Sequence, residues 1–256
     1  MSELTIHMFP CLADNYGYLL HDAESGATAA VDTPDARAIL AQLEAKAWRL
    51  THILNTHHHA DHAGGNLELK RRTGCTIVGP RADAARIPGI DVAVGEGDEV
   101  TLGAQRARVF DTPGHTRGHI VYWFPDARAA FVGDTLFAMG CGRLFEGTPR
   151  QMWSSLRKIL EWPDDTRLYC AHEYTQSNAR FALSVEPQNA DLQQRAARVA
   201  QLRAAGQATV PTTLAEERAT NPFLRPHSAA LRATLGLASA PDVEVFARTR
   251  ALKDAF

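Results

Sequence analysis

The stretch Thr56-His57-His58-His59-Ala60-Asp61-His62-Ala63-Gly64-Gly65 concentrates four strong metal donors, His57, His59, Asp61 and His62, within six residues. Residues two apart point to different sides of a helix but to the same side of an extended segment. The preceding Thr51-His52-Ile53-Leu54-Asn55 reads as a strand. The spacing therefore predicts a strand end that fans His57, His59 and Asp61 into one spot, with His58 pointing away. Imidazole together with carboxylate suits zinc, iron or manganese and does not choose among them. A divalent ion held there would be a Lewis acid and a source of hydroxide at neutral pH, so the chemistry expected is hydrolytic.

Three later points add donors, each where a strand is expected to end. Asp111-Thr112-Pro113-Gly114-His115-Thr116 puts His115 in a turn shaped by Pro113 and Gly114. Val132-Gly133-Asp134-Thr135 ends an apolar run with a carboxylate, and Tyr169-Cys170-Ala171-His172-Glu173 ends one with a histidine. Any one alone would be an ordinary loop residue; their joint arrival is what counts. Five imidazoles and two carboxylates exceed the four ligands usual for one zinc-like ion. Two ions sharing a bridging carboxylate and a bridging hydroxide would use them all. Spacing alone does not say which histidine serves which ion.

The elements that must position these donors are mostly short strands. Candidates lie at 4–9, 16–20, 28–32, 51–55, 75–78, 106–111, 119–124, 129–132 and 167–170, separated by turn residues. Asp32-Thr33-Pro34-Asp35 ends a strand and caps a helix running to about Ala47, with Ile39, Leu40 and Leu43 on its buried face. A second helix opens at Gly64-Gly65-Asn66, and 151–160 is amphipathic. Strands at this density with few helices predict two packed sheets covered by helices on their outer sides. After about Tyr174 the periodicity becomes helical, at 191–205, 229–237 and 242–252, punctuated by Pro187, Pro211, Pro222 and Pro241. The expected division is a catalytic domain over 1–173 and a helical domain over 174–256.

The totals narrow the partners. With 256 residues and a formal charge of −2, the chain has ample core but no global basic field to hold a nucleic-acid backbone. Cys11, Cys75, Cys141 and Cys170 are scattered with no C-x-x-C pair, which suits a reducing compartment. Neither a signal-peptide pattern nor a bilayer-spanning stretch is found. The expectation is a cytoplasmic monomer with no membrane or nucleic-acid partner. Cys141 and Cys170 read as packing residues rather than nucleophiles. His119, four after His115, suits a strand start better than a ligand set, and His7, His21, His52 and His227 lack partners in sequence. Asp32 is a candidate partner to a ligand histidine.

The donor set resembles the metallo-β-lactamase superfamily, and within it the glyoxalase II (hydroxyacylglutathione hydrolase) family. The resemblance rests on Asp14-Asn15-Tyr16, the T-H-x-H-x-D-H-x-G-G run, T-P-G-H-T, Val132–Phe137, the run from Gly140 to Thr148, and Ala171-His172-Glu173-Tyr174-Thr175. The metal motifs mark the superfamily. The Cys141–Thr148 stretch and the helical tail, with Asn221-Pro222-Phe223-Leu224-Arg225 and the ending Arg250-Ala251-Leu252-Lys253-Asp254-Ala255-Phe256, mark the branch. The resemblance implies an α+β fold, a four-layer αββα sandwich with a C-terminal α-helical domain. It implies two divalent ions, zinc foremost, with His57, His59 and His115 on one, Asp61, His62 and His172 on the other, and Asp134 between. It also implies that Arg250 and Lys253 hold the glycine carboxylate of glutathione, with Arg143 and Tyr174 as further contacts. In one common family pattern Lys and Tyr stand where this chain has Arg143 and Phe145, and Phe145 offers no hydroxyl.

The reaction implied is hydrolysis of a glutathione thioester, S-D-lactoylglutathione, to D-lactate and glutathione by a hydroxide shared between the ions, with Asp61 and Asp134 holding the centre. This is the second step of methylglyoxal detoxification. Two readings compete. A glutathione persulfide dioxygenase with a single iron would use His57, His59, His115 and Asp134 and leave the second set with less to do; one iron and oxygen consumption would favour it. A metallo-nuclease of the same fold is disfavoured by the net charge and the lack of a basic arm.

Overall fold

Residues 3–256 are described by the computed structural model, and they divide into two compact units. The first comprises the chain through Asp111 together with Arg117–Gly133, and the second comprises Thr112–Thr116 together with Asp134–Phe256. The short Thr112–Thr116 excursion is the turn that carries His115.

In the first unit, strands β1 (Leu4–Cys11), β2 (Asn15–Asp22), β3 (Ala27–Val31), β4 (His52–Leu54), β5 (Thr76–Pro80) and β6 (Val92–Val94) form a sheet in that order. β1, β2 and β3 pair antiparallel, and β3 to β6 pair in parallel. Parallel strands need crossovers. The first is supplied by α1 (Ala36–Lys46), the second by the short α2 (Ala60–Ala63) followed by α3 (Asn66–Thr73), and the third by a 3-10 helix at Arg81–Arg86. Asp35 starts α1, its carboxylate accepting from the backbone N–H groups of Arg37 and Ala38. Ile39 and Leu43 of α1 and Leu69 of α3 pack with Leu19, Ile53 and Ile77 of the sheet. Each such side chain contributes about 1.5–3 kcal/mol by leaving water. β7 (Glu99–Leu102), β8 (Gln105–Asp111), β9 (Ile120–Phe124) and β10 (Ala129–Gly133) form an antiparallel meander of a second sheet. Tyr18 of β2 meets Phe131 of β10 edge-on, ring centroids 5.4 Å apart, so the two sheets share a core in this unit.

The second unit holds the hairpin β11 (Leu136–Phe137) and β12 (Gly140–Cys141), helix α4 (Pro149–Ile159), the pair β13 (Arg167–Cys170) and β14 (Thr212–Thr213), and helices α5 (Thr175–Val185), α6 (Ala190–Ala204), α7 (Leu214–Thr220), α8 (Ala229–Leu235) and α9 (Asp242–Ala255). α4 begins with a reciprocal capping box between Thr148 and Gln151 and a proline in its first turn. Met139, at the tip of the β11–β12 hairpin, has a left-handed backbone (φ 55°) and is packed with Ala179, Ala182, Leu192 and Val199 of α5 and α6. Its N–H donates to Glu217 Oε2 at 2.9 Å. Asn221 Nδ2 donates to the carbonyls of Phe137 (3.2 Å) and Gly140 (3.0 Å). Glu217 is itself buried against Arg195 at 2.5 Å. Among the described residues no helix is long and apolar enough to cross a membrane.

The expected strands, α1, α4 and the later helices are present. One expectation fails in detail. Asp61 does not continue the extended alternation of His57 and His59, because the N–H groups of His62 and Ala63 both close on His59 O at 2.9 Å and wind Asp61 and His62 into α2.

Candidate metal centre and substrate cavity

In the first unit the donors hang from the end of β4. The chain leaves β3 at Asp32, whose left-handed backbone (φ 56°) is one that Asp tolerates better than most residues. This turn aims the Asp32 carboxylate back at the donor loop. Oδ1 accepts from Thr56 N at 2.8 Å, and Oδ2 accepts from Thr56 Oγ1 at 2.7 Å and from His62 Nδ1 at 2.8 Å. A carboxylate only accepts and a threonine hydroxyl has one proton. Thr56 Oγ1, having given its proton to Asp32, must accept from His57 Nδ1, 3.0 Å away. Both His57 and His62 are thus protonated on Nδ1 and present a lone pair on Nε2, the arrangement by which an outer partner orients a ligand histidine. Asn55 and Asn66 brace the loop from beneath. Asn55 Nδ2 donates to His62 O at 2.9 Å, and Asn66 Nδ2 to Asn55 Oδ1 at 2.7 Å. Asn15 Nδ2 donates to Asp61 Oδ2 at 3.1 Å.

In the second unit Asp134 directly follows β10, and His115 and His172 flank it. His115 Nε2 lies 3.4 Å from Asp134 Oδ2, and His172 Nε2 lies 3.5 Å from Oδ1, so each carboxylate oxygen faces its own imidazole. His115 Nδ1 donates to Arg143 O at 2.9 Å, which again leaves Nε2 as the acceptor. Gly142 makes this close packing possible: a Cβ there would sit 2.0 Å from Asp134 O and 3.1 Å from His115 Nδ1.

The donor set fits a metal by its own geometry. Bonds of about 2.0–2.2 Å in a tetrahedral site put ligands roughly 3.4 Å apart. His57 Nε2 to His59 Nδ1 is 3.1 Å, and His62 Nε2 to Asp61 Oδ2 is 3.4 Å. With the two Asp134 separations, four neighbouring donor pairs have that spacing. Asp32, His57 and His62 also form a tight group. The Asp32 oxygens are taken up by Thr56 and His62, however, which makes Asp32 a hydrogen-bond partner of the donor loop more than a donor itself. His58 turns the other way, its Nδ1 3.1 Å from Asp83 Oδ2. His119 is buried, stacked on His57 with centroids 4.8 Å apart, immediately before β9.

The second unit also contains a cavity of about 380 Å³. Its lining includes His115 and Asp134, the aromatic rings of Phe137, Phe145 and Tyr174, and three cations, Arg143, Arg250 and Lys253. The Tyr174 ring lies parallel to His172, centroids 4.8 Å apart. Phe145, largely exposed, meets His115 edge-on at 5.2 Å. Lys253 Nζ rests 5.3 Å from the centres of both Phe181 and Phe256. Burial first, then the charges of Arg250 and Arg180, bring the Lys253 ammonium down to about 8. Burial pushes the Cys141 thiol up to about 11 and that of Cys170 to about 12. Neither thiol ionises at neutral pH, so neither is a nucleophile there.

Comparison with known proteins places this geometry. Residues 24–172 match the family model of the metallo-beta-lactamase superfamily, and residues 173–256 match that of the hydroxyacylglutathione hydrolase C-terminus. A hydroxyacylglutathione hydrolase of Maricaulis maris is 58% identical over 256 residues, covering 100% of both chains. One from Methylococcus capsulatus is 59% identical over 253 residues, 99% of each. The chain belongs to the hydroxyacylglutathione hydrolase family. Its fold is accordingly the α+β sandwich of the metallo-β-lactamase superfamily with a helical C-terminal region. Among solved structures, ETHE1 from Myxococcus xanthus is similar with a TM-score of 0.67 and 26% identity, covering 98% of this chain and 99% of its own. The His and Asp clusters of this hydroxyacylglutathione hydrolase family member suit divalent metal.

Sequence reasoning passed over Thr56, Asn55, Asn66 and the support that Asn15 gives Asp61. Their partners lie up to 46 residues away in the chain. Only the positions of Asn15 and Thr56 inside recognisable motifs hinted at a role.

Proposed function

We propose that this protein hydrolyses the thioester of S-2-hydroxyacylglutathiones, S-D-lactoylglutathione foremost, to the 2-hydroxy acid and glutathione, the second step of methylglyoxal detoxification. The observation that carries the reading is one cavity whose lining combines metal-type donors with three cations. A glutathione thioester carries the matching pair, an electrophilic carbonyl and a distant carboxylate.

In this reading residues 1–173 are the catalytic domain and 174–256 the substrate-binding domain. His57, His59 and His115 would hold one ion, Asp61, His62 and His172 a second, and Asp134 would serve both. Two divalent ions, zinc or in its place iron or manganese, supply Lewis acidity and bring the pKa of bound water toward neutrality. The residues around them orient and exclude. Asp32 and the Arg143 carbonyl fix the histidine tautomers, and Asn15 steadies Asp61. Tyr174, Phe137 and Phe145 give the thioester an apolar wall. Arg143, Arg250 and Lys253 attract the glycine carboxylate. The departing thiolate has an intrinsic pKa of about 8.5, so no strong general acid is needed. The enzyme works as a cytoplasmic monomer on a small molecule, without nucleic-acid or membrane partners; its four free, buried cysteines suit a reducing compartment.

The test is turnover of S-D-lactoylglutathione, followed by loss of thioester absorbance, together with metal counting. Hydrolysis and two metal ions per chain are expected. A fully loaded protein that leaves the thioester intact would refute the assignment.

A further inference from the structure

The last helix places a carboxylate of its own among the cations of the cavity. Arg250 is buried, and both terminal nitrogens of its guanidinium are engaged: Nη1 donates to Cys141 O at 2.8 Å, and Nη2 lies 2.9 Å from Asp254 Oδ1. The same Asp254 oxygen is 3.5 Å from Arg143 Nε. Asp254 stands one helical turn beyond Arg250, so helix geometry alone brings the two together. It therefore holds the place between two guanidinium groups that an incoming carboxylate would seek.

The two ends of this arrangement differ in exposure. The Arg250 side chain is 6% exposed and anchored, whereas those of Asp254 and Arg143 are 38% and 60% exposed. An ion pair with its anion in contact with water is weak and readily exchanged. The neighbouring charges favour an anion: Arg250 and Arg180 both disfavour the protonated form of Lys253, and Asp254 is the group that offsets them. Without Asp254, the cluster would hold a ligand carboxylate more firmly, and glutathione released after hydrolysis carries the same carboxylate as the substrate.

We propose that Asp254 sets the affinity of the substrate cavity. Its carboxylate occupies Arg250 and Arg143 in the free enzyme, gives way to the glycine carboxylate of the glutathione thioester, and returns as glutathione leaves. The inference rests on reading these cations as the glutathione carboxylate site. Asp254 touches no reacting atom and acts on binding alone.

The experiment compares wild type, Asp254→Asn and Asp254→Glu on S-D-lactoylglutathione and on its analogue with the glycine carboxylate converted to an amide. KM is measured for both, along with inhibition by free glutathione. Asn keeps an acceptor for Arg250 and removes the charge. For Asp254→Asn, KM for the natural thioester and the inhibition constant of glutathione should both fall about two- to fivefold, the range one partly exposed ion pair sets. KM for the amide should not move, and Asp254→Glu should behave as wild type. A helix-end residue with a merely structural role would not tighten binding of the carboxylate alone. KM and inhibition unchanged or weakened in a folded Asp254→Asn protein would overturn the proposal, as would equal shifts for both substrates. Asp254→Ser, read the same way, decides if the Asn variant misfolds. A wild type with the same KM for both substrates would remove the carboxylate-site reading and the proposal with it, whereas normal discrimination by wild type isolates the test to Asp254.

Discussion

On the proposed reading, the donor cluster and the cavity's three cations solve opposite problems with opposite kinds of side chain. The donors are short, sit in the turns and the short α2 that follow strand ends, and three of their rings have the outer nitrogen fixed by Asp32, Thr56 or a backbone carbonyl. The cations are long, and of the three only Arg250 is fully buried. Chemistry needs donors held to within a fraction of an ångström before anything binds. Recognition of a carboxylate needs charge, and tolerates side chains that settle when the ligand arrives. Damage to the first group should therefore appear in kcat and metal content, and damage to the second in KM.

The largest effect expected is from Asp134→Ala. Removing the group that faces both His115 and His172 should lower kcat by about a thousandfold or more, at about 1.4 kcal/mol per tenfold, with metal content falling by elemental analysis. A kcat within tenfold of wild type would break the comparison at its strongest point. Asp32→Asn should come next. The hydrogen bond to His62 weakens while the ligand remains, so metal affinity, read by competition with a chelator, should drop about 10–100-fold. Lys253→Met keeps the stem packed on Phe181 and Phe256 and deletes the charge. KM should rise about tenfold, a cost of about 1.4 kcal/mol, with kcat nearly unchanged. The same lysine sharpens the comparison through pH. With its pKa brought down to about 8, it is charged below that value and loses its proton above it. KM should thus climb between pH 7 and pH 9 in wild type, and this climb should be absent in Lys253→Met. The smallest effect is with iodoacetamide at neutral pH. It should leave activity unchanged over an hour, because all four thiols are buried; rapid inactivation would contradict the placement of Cys141 and Cys170.

The two regions also differ in how much could be read from residues alone. His57, His59, Asp61 and His62 announce themselves because donor type is local information and their spacing is tight. His115, Asp134 and His172 were legible because each lies at or just past the end of an expected strand. The winding of Asp61 into α2 was not, since it depends on His59 O capturing two N–H groups, a backbone choice that side-chain alternation does not reveal. β6, β7 and β14 are three, four and two residues long, too short for a period to register. α5 and α7 lay inside a stretch recognised as helical without separate boundaries. Asp254 beside Arg143 was invisible for another reason: the partners lie far apart in the chain, and nothing in either neighbourhood predicts the meeting.

The grip of Glu217 and Asn221 on the β11–β12 hairpin bears on how freely this architecture can be recombined. The family models divide the chain between residues 172 and 173, yet Met139 N–H, Phe137 O and Gly140 O all find their partners beyond that seam. A tail grafted from another scaffold would have to bring an acid and an amide at those two stations, or strand three backbone groups in a dry interior. The helical region is thus less an interchangeable attachment than a late-arriving part of the wall it completes. Chimeras cut at the seam should inherit their failures from this hairpin before any defect in recognising glutathione becomes measurable.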